Sequence, residues 1–420
     1  MKKTILTLLA VISITAISAQ KNKVQSAYNY NNAFERNGKC SEIQNGLEAI
    51  NLATQDASTK DASKTWIYRG NLYYNLLLPT TDKNCKALYK DALDEATKSY
   101  LKGMVLNFED DALKKLDLEK EADLMQFFGA LQNKSKMEDQ QLFGTAFSRL
   151  PGLGGEYANK GISLFQTKDF KGAQESFQKA LMLIQFSGKT DTLILYNLAL
   201  ASEYAEDFET SKQLYNALIQ LNYNIDGNGA SIYQSLARIH KNGGDKEKSF
   251  ETIKKGRKAY PQNQNLIFEE IDYYLQSGKD QDALVSLNDA ISIEQNNAFL
   301  YYVRGTVYEK LKNQENAIAD YKKSIELDPK QHDAAFNLGA FYFNKGVDKI
   351  NVANDLPLNQ SKKYEEMKAD AKKDFMSAIP YIEIANKAKP EDTDTATMLI
   401  KLYTQVGEDA KAKELKTKYE

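Results

Sequence analysis

A repeating apolar pattern with a period of 34 residues constrains the fold of this chain more than any other feature. Its clearest copy, Ala298 to Gln331, contains two amphipathic helical patterns that are separated by a polar turn at Asn313 and Gln314. Pro329 ends the second pattern, because its ring has no amide hydrogen to donate. One such helical hairpin leaves its apolar face uncovered, so it needs neighbours of the same kind. The sequence therefore predicts an all-α chain built of antiparallel helix pairs.

The packing face of each predicted pair combines large and small residues. In the clearest copy, Tyr301, Gly305 and Tyr308 share a face of the first helix, and Ala317 and Tyr321 share a face of the second. A small residue lets two helices approach closely, and an aromatic ring fills the space beside the contact. The position of Gly305 has equivalents along the chain, and the last three intervals between them are 34 residues. These equivalents are Gly161, Ala199, Ala237, Ile271, Gly305 and Gly339.

The pattern divides the chain into an N-terminal group of repeats at residues 24–108, a diverged helical segment at 109–153 and a C-terminal array at 154–420. In the diverged segment the apolar positions predict a charged helix followed by a shorter one. The glycines of 152–155 follow Pro151 and are typical of a flexible connection.

An insertion interrupts the last repeat of the array. It covers about residues 344–375, and we expect it to lengthen both helices of one pair around a turn at Pro357. A closing helix, Thr395 to Val406, and a lysine-rich polar tail, Glu408 to Glu420, are then expected to cap the array.

These residues resemble the tetratricopeptide repeat (TPR), in which W-x2-L-G-x2-Y is followed by Ala, an aromatic residue, Ala and Pro. The matching positions are Tyr301, Arg304, Gly305, Tyr308, Ala317, Tyr321, Ser324 and Pro329. Arg304 and Ser324 depart from the pattern. The resemblance covers most of Ser26 to Tyr419 and is weakest in residues 109–150. It implies a right-handed superhelical solenoid whose first helices line a concave groove.

Residues 1–20 have the three parts of a cleavable secretory signal peptide. Lys2 and Lys3 precede an apolar run, Ile5 to Ile17, and small residues follow at Ser18 and Ala19. An uncleaved membrane anchor is the alternative, but the run is short for a membrane span. We therefore expect an exported protein, periplasmic or secreted, with no transmembrane span after cleavage. The segment around Trp66 and the interrupted last repeat also resemble exported bacterial TPR proteins.

The chain contains two cysteines, Cys40 and Cys85. In an oxidising compartment they can form a disulfide bond, whereas two free thiols are the alternative. Two cysteines and two histidines scattered along the chain do not predict a metal site.

The sequence offers no set of residues for catalysis. His240 and His332 stand apart from each other, and no nucleophile, base and orienting group can be assembled around either. The formal net charge of -2 argues against binding of nucleic acid, which requires a basic surface. We therefore expect a protein that is not an enzyme and uses no cofactor.

A second face of the first helices carries the candidate binding residues. It adjoins the packing face, because neighbouring helix residues are about 100 degrees apart. Its members are Phe268, Phe299, Tyr302, Glu309, Phe336 and Phe343, with Arg238 as a further candidate for an acidic partner. The alternatives are that the aromatic residues fill gaps between repeats and that Arg238 is a solvated surface charge.

These observations favour an exported scaffold that binds a protein or peptide partner in the cell envelope through its concave groove. A protein that binds carbohydrate or associates with peptidoglycan is the alternative, since exposed tyrosines can stack on sugars.

Overall fold

The structure is a computed structural model, and it describes residues 22–419. The predicted signal peptide, residues 1–20, lies outside the described residues. Within them the chain is all-α, with twenty α-helices and one isolated bridge between Phe108 and Met137. The chain falls into two compact units, one that extends to Ile225 and one that begins at Asp226.

The described part of unit 1, residues 22–225, contains ten α-helices. They are α1 (22–37), α2 (Cys40–Ala53), α3 (Ser63–Leu77), α4 (Lys83–Ala87), α5 (Ala92–Val105), α6 (Glu121–Gln132), α7 (Gln140–Gln166), α8 (Phe170–Ile184), α9 (Thr192–Tyr204) and α10 (Phe208–Gln220). Helix α3 pairs with α5, α7 with α8, and α9 with α10. One continuous apolar core runs from Val24 to Ala201.

Unit 2 also contains ten helices, which pair in chain order. They are α11 (Gly229–Asn242), α12 (Lys246–Ala259), α13 (Gln264–Gln276), α14 (Asp280–Ile293), α15 (Ala298–Lys310), α16 (Gln314–Leu327), α17 (His332–Asn354), α18 (Ser361–Ala388), α19 (Thr393–Val406) and α20 (Asp409–Tyr419). The predicted architecture of paired helices is therefore confirmed.

The predicted close approach of paired helices is also confirmed. A Cβ atom added at Gly305 would lie 2.7 Å from the Tyr321 ring, and one added at Gly161 would lie 2.7 Å from the Phe177 ring. Tyr321 and Phe177 are almost fully buried. A side chain at either glycine would occupy the space that the ring fills, so the small residue sets the spacing of the two helices.

Residues 344–375 lie in one long helix pair, and their origin as an insertion into a repeat stays a prediction. Helices α17 and α18 contain 23 and 28 residues, and Pro357 lies in the turn between them. Along this extension Lys349 forms ion pairs with Asp370 and Asp374, and Phe343 packs on Phe375. The extended part of the pair is therefore held by contacts of its own.

The sequence interpretation of residues 109–155 is wrong in two respects. Of the predicted charged helix only α6 and a short 3-10 turn, Leu113–Lys115, form. The expected flexible connection at 152–155 is instead the middle of α7, which continues through Pro151. Gly154 lies in the helix contact, because a Cβ atom there would be 2.8 Å from Ile184 and 3.1 Å from the carbonyl oxygen of Ala180. Close packing, not a chain reversal, requires this glycine.

Most of the lysine-rich C-terminal segment, for which the sequence predicted a polar tail, is a helix. Helix α20 packs on α19 and buries Ala412. Near its end the Tyr419 hydroxyl donates a hydrogen bond of 2.6 Å to the carbonyl oxygen of Pro390. The sequence missed this helix because its apolar face is short and its other residues are mostly charged.

Cys40 and Cys85 form a disulfide bond in the structure, with Cα atoms 5.6 Å apart. The bond links the start of α2 to the short helix α4. The division of the chain into three parts by its repeats stays a prediction, because the two units are separated by compactness and not by repeat pattern. The right-handed superhelix also stays a prediction.

Two adjacent glycines in α7 test whether 152–155 is packed helix. We expect Gly154→Ala to lower the free energy of unfolding by about 1–3 kcal/mol, because the methyl group has no room. Gly155 has no atom within 4 Å of an added Cβ, so Gly155→Ala should raise it by about 0.5–1 kcal/mol through helix propensity. Guanidinium denaturation followed by circular dichroism measures both. Two unchanged midpoints would indicate a flexible connection after all.

We expect loss of the disulfide to destabilise unit 1. The cysteines are 45 residues apart, and closing a loop of that length in the unfolded chain stabilises a fold by up to about 4 kcal/mol. The Cys40→Ser/Cys85→Ser variant should therefore unfold at a lower guanidinium concentration than the oxidised protein, and dithiothreitol should not lower its midpoint further. Equal midpoints for variant and oxidised wild type would show that the bond contributes nothing.

Candidate functional site

A cavity of about 430 Å³ in unit 2 lies between α11, α12 and α13. Its lining residues are Gln234, Ala237, Arg238 and Lys241 from α11, Lys246, Ser249 and Ile253 from α12, and Asn265, Phe268, Glu269, Asp272, Tyr273 and Gln276 from α13. Two of the residues predicted from the sequence, Arg238 and Phe268, therefore meet at one cavity.

Helix periodicity and caps place these side chains. Gln234, Arg238 and Lys241 follow one another at helical spacing on α11. The Asn263 side chain caps α13 by accepting a hydrogen bond from the Leu266 amide, and it also accepts one of 3.2 Å from Gln234. The same cap thus starts α13 and fixes it against α11.

The cavity combines an apolar wall with charges of both signs. Phe268 is 37% exposed, so its ring is available to a ligand. The Lys241 ammonium lies 3.4 Å from the Asp272 carboxylate and links α11 to α13. Burial raises the pKa of Glu269, although Lys241 and Arg238 act in the opposite direction. Opposite charges around an aromatic side chain suit an uncharged or zwitterionic polar segment with an apolar anchor.

Phe299 and Tyr302 form a second exposed aromatic feature, on α15. Their ring centroids are 6.1 Å apart, and Phe299 is 59% exposed. Burial raises the pKa of Tyr302, as do the nearby carboxylates of Asp333 and Glu309. Its hydroxyl therefore stays protonated at neutral pH and can donate a hydrogen bond.

The other three predicted residues pack within hairpins. Glu309 accepts a hydrogen bond of 2.6 Å from the Tyr321 hydroxyl. Phe336 stacks on His332 with ring centroids 6.0 Å apart, and Phe343 lies against Phe375. For Phe336 and Phe343 these contacts are those expected if the rings fill gaps in the helix array, whereas Glu309 is exposed. A role in binding a partner stays a prediction for all seven residues.

Sequence reasoning missed the partners of Arg304. Its guanidinium donates two hydrogen bonds of 2.7 Å to the buried Asp320 carboxylate and lies over the rings of Tyr301 and Tyr308. Arg69 has the same surroundings, over Trp66 and Tyr73, and pairs with Glu95. The sequence did contain an indication of this ion pair, because in both cases the arginine directly precedes the packed glycine and lies between two aromatic residues.

The sequence also missed a polar cluster around His332, whose side chain is largely buried. Its ring nitrogens lie 2.8 Å from the Asp333 carboxylate and 3.1 Å from the Asp392 carboxylate. Asp392 and Thr395 lie 60 and 63 residues further along the chain, so spacing could not reveal them. The cluster joins the start of α17 to the start of α19.

In residues 22–419 no group of three or more His, Cys, Asp and Glu side chains is arranged to hold a metal ion. Across the same range, no helix has the length and apolar content that a membrane span requires.

Comparison with known families identifies one repeat. Residues 298–331, the clearest copy of the 34-residue pattern, match the tetratricopeptide repeat. Comparison with curated proteins finds no matching relative.

Solved structures similar to the chain are helical-repeat proteins. A tetratricopeptide repeat protein from Parabacteroides merdae is 15% identical and aligns over 54% of this chain and 78% of its own, with a TM-score of 0.35. A TPR repeats protein from Bacteroides fragilis is 20% identical over 60% and 98%, with a TM-score of 0.29. YrrB, described as a TPR protein with an unusual peptide-binding site, is 15% identical over 42% and 88%, with a TM-score of 0.33.

The raised pKa of Glu269 gives a pH-dependent prediction. Its carboxylate is less favourable in the fold than in the unfolded chain, so ionisation destabilises the protein as the pH rises through the folded pKa. Glu269→Gln should therefore be more stable than wild type at pH 7. The gain should vanish below about pH 4, where the wild-type carboxyl group is protonated in both the folded and the unfolded state. Denaturation midpoints at the two pH values measure this. A variant that is less stable at pH 7 would contradict the assignment.

Proposed function

We propose that this chain is an exported, non-enzymatic scaffold that binds a peptide segment of another protein through the cavity of α11, α12 and α13. Proteins of the tetratricopeptide repeat class generally mediate protein or peptide binding. The observation that carries the proposal is the partly exposed Phe268 ring. It lies in a cavity between three packed helices, beside the ion pair of Lys241 and Asp272.

The cavity suits a short segment with one apolar anchor side chain. The anchor packs on Phe268, while Arg238 and Lys241 face acceptor groups such as backbone carbonyls or a carboxylate. Asp272 and Glu269 face donor groups. Tyr273 is held by Phe250, with ring centroids 3.7 Å apart, so the wall behind the anchor is already ordered before binding.

Export to the cell envelope belongs to the proposal and rests on the pattern of residues 1–20 together with the cysteine pair. A disulfide bond persists in an oxidising compartment. Binding of carbohydrate or peptidoglycan is the second candidate, since the exposed Phe299 ring and the half-buried Tyr302 ring beside it offer a surface for stacking on sugars. A glycan array with wild type and the Phe299→Ala/Tyr302→Ala variant separates the two candidates.

Site-specific photo-crosslinking in the cells that produce the protein tests the cavity. We expect p-benzoylphenylalanine at position 268 to give discrete crosslinked species with a partner. The same group at position 285 should give none, because Val285 lies on α14, outside the cavity, although it is 62% exposed. Purified partner should then bind the Phe268→Ala variant at least about tenfold more weakly than wild type, because anchor contacts dominate such interfaces.

Two outcomes would overturn the proposal. Equal crosslinking at positions 268 and 285 would contradict the cavity as the binding site. Recovery of the chain from the cell interior with residues 1–20 still attached, measured by mass spectrometry, would contradict export.

A further inference from the structure

Unit 1 contains a groove that the sequence did not predict. Two cavities of about 610 and 750 Å³ adjoin each other there, and they share Thr97, Leu118, Glu119 and Lys179. The groove lies where the diverged segment around α6 passes α5 and α8. This site is separate from the cavity of α11, α12 and α13 and does not rest on the proposed function.

The floor of the larger cavity is apolar. Its apolar lining residues are Leu118, Leu124, Met125, Phe128, Leu181, Met182 and Leu198. Met125 is 69% exposed, although it lies on a helix that packs into the core. Phe128 is fixed by Phe127 and Phe186, with ring centroids 5.7 and 5.1 Å away. Flexible methionines beside a fixed aromatic ring form a surface that adapts to apolar side chains.

The rim of the same cavity is acidic. Glu119, Glu121 and Glu175 line it and are exposed. Lys179 is the one cation of this lining, and its ammonium lies 3.0 Å from the Asp94 carboxylate, which it shares with Lys160. Among residues 22–419 no cation forms an ion pair with any of the three glutamates. The larger cavity therefore presents three glutamates and one lysine around an apolar floor, whereas Lys98 and Lys102 line the smaller cavity.

We propose that this groove binds a cationic amphipathic helix of a partner protein. An amphipathic helix presents apolar side chains three and four residues apart to a groove floor. Lysine and arginine residues that flank the apolar stripe then reach the rim glutamates. An acidic or uncharged helix would leave the three carboxylates without counter-charge, so charge decides between occupants of similar shape.

Fluorescence anisotropy with two designed peptides tests the proposal on the purified oxidised protein. Both are 18-residue amphipathic helices with the same leucine positions, and the polar face carries lysine in one and glutamate in the other. We expect the leucine/lysine peptide to bind at least about tenfold more tightly than the leucine/glutamate peptide, with an affinity that falls as salt rises. Its helicity, measured by difference circular dichroism, should increase on binding.

Two variants with the same change in net charge locate the binding. The rim variant Glu119→Gln/Glu121→Gln/Glu175→Gln should weaken binding of the leucine/lysine peptide about tenfold. The control Glu247→Gln/Glu315→Gln/Glu365→Gln neutralises three exposed carboxylates of unit 2 and should leave affinity within about twofold. Met125→Ser tests the floor and should weaken binding about threefold.

Absence of binding, similar affinity for both peptides, or equal weakening in the rim and control variants would overturn the proposal. Denaturation midpoints confirm that both variants are folded. Crosslinking from position 268 does not involve unit 1, so the two proposals can fail independently.

Discussion

The close approach of two helices at one small residue is the contact on which each hairpin depends. At Gly305 the backbone of α15 comes near enough for the Tyr321 ring of α16 to lie directly against it. The buried ring needs a partner for its hydroxyl, and Glu309, one turn beyond the glycine, accepts its hydrogen bond. Burial and this carboxylate raise the pKa of Tyr321, so the hydroxyl remains a donor throughout the physiological range.

The same combination recurs in unit 1, where Tyr215 of α10 donates to Glu203 of α9. Arg304 adds a second link between α15 and α16. Its two hydrogen bonds to Asp320 satisfy a carboxylate that would be costly to bury alone. Apolar contact therefore sets the distance between paired helices, and the polar pairs fix how one helix is placed along the other.

The sequence predicted the features that recur and missed those that occur once. Gly305 was identified because a spacing of 34 residues returns along the chain, and Gly161 because the same pattern recurs at the longer interval of 38 residues. Pro357 located the turn of the long helix pair, because proline restricts the residue before it. The prediction for residues 152–155 was wrong because a single sequence does not distinguish a glycine in a tight helix contact from a glycine in a loop.

The candidate cavity was predictable in part. Phe268 and Arg238 were found because first helices expose equivalent positions, but Glu269 was not, since its burial depends on three helices at once. The unit 1 groove had no recurring counterpart, because a segment outside the repeat pattern forms one of its walls. Helix periodicity thus predicts which face is exposed, while the depth and charge of a cavity depend on neighbouring elements.

The uninterrupted course of α7 has a consequence for how unit 1 unfolds. In its first half Arg149 donates to Asn71 of α3 and to the Tyr100 hydroxyl of α5, and in its second half Gly154 packs on α8. In an ideal array of repeats each hairpin contacts only its neighbours, so local opening can begin anywhere. Helix α7, with 27 residues, contacts α3 and α5 through its first half and α8 through its second half, so these helices are coupled in local unfolding. The helix pairs that α7 contacts are therefore expected to open together rather than one at a time.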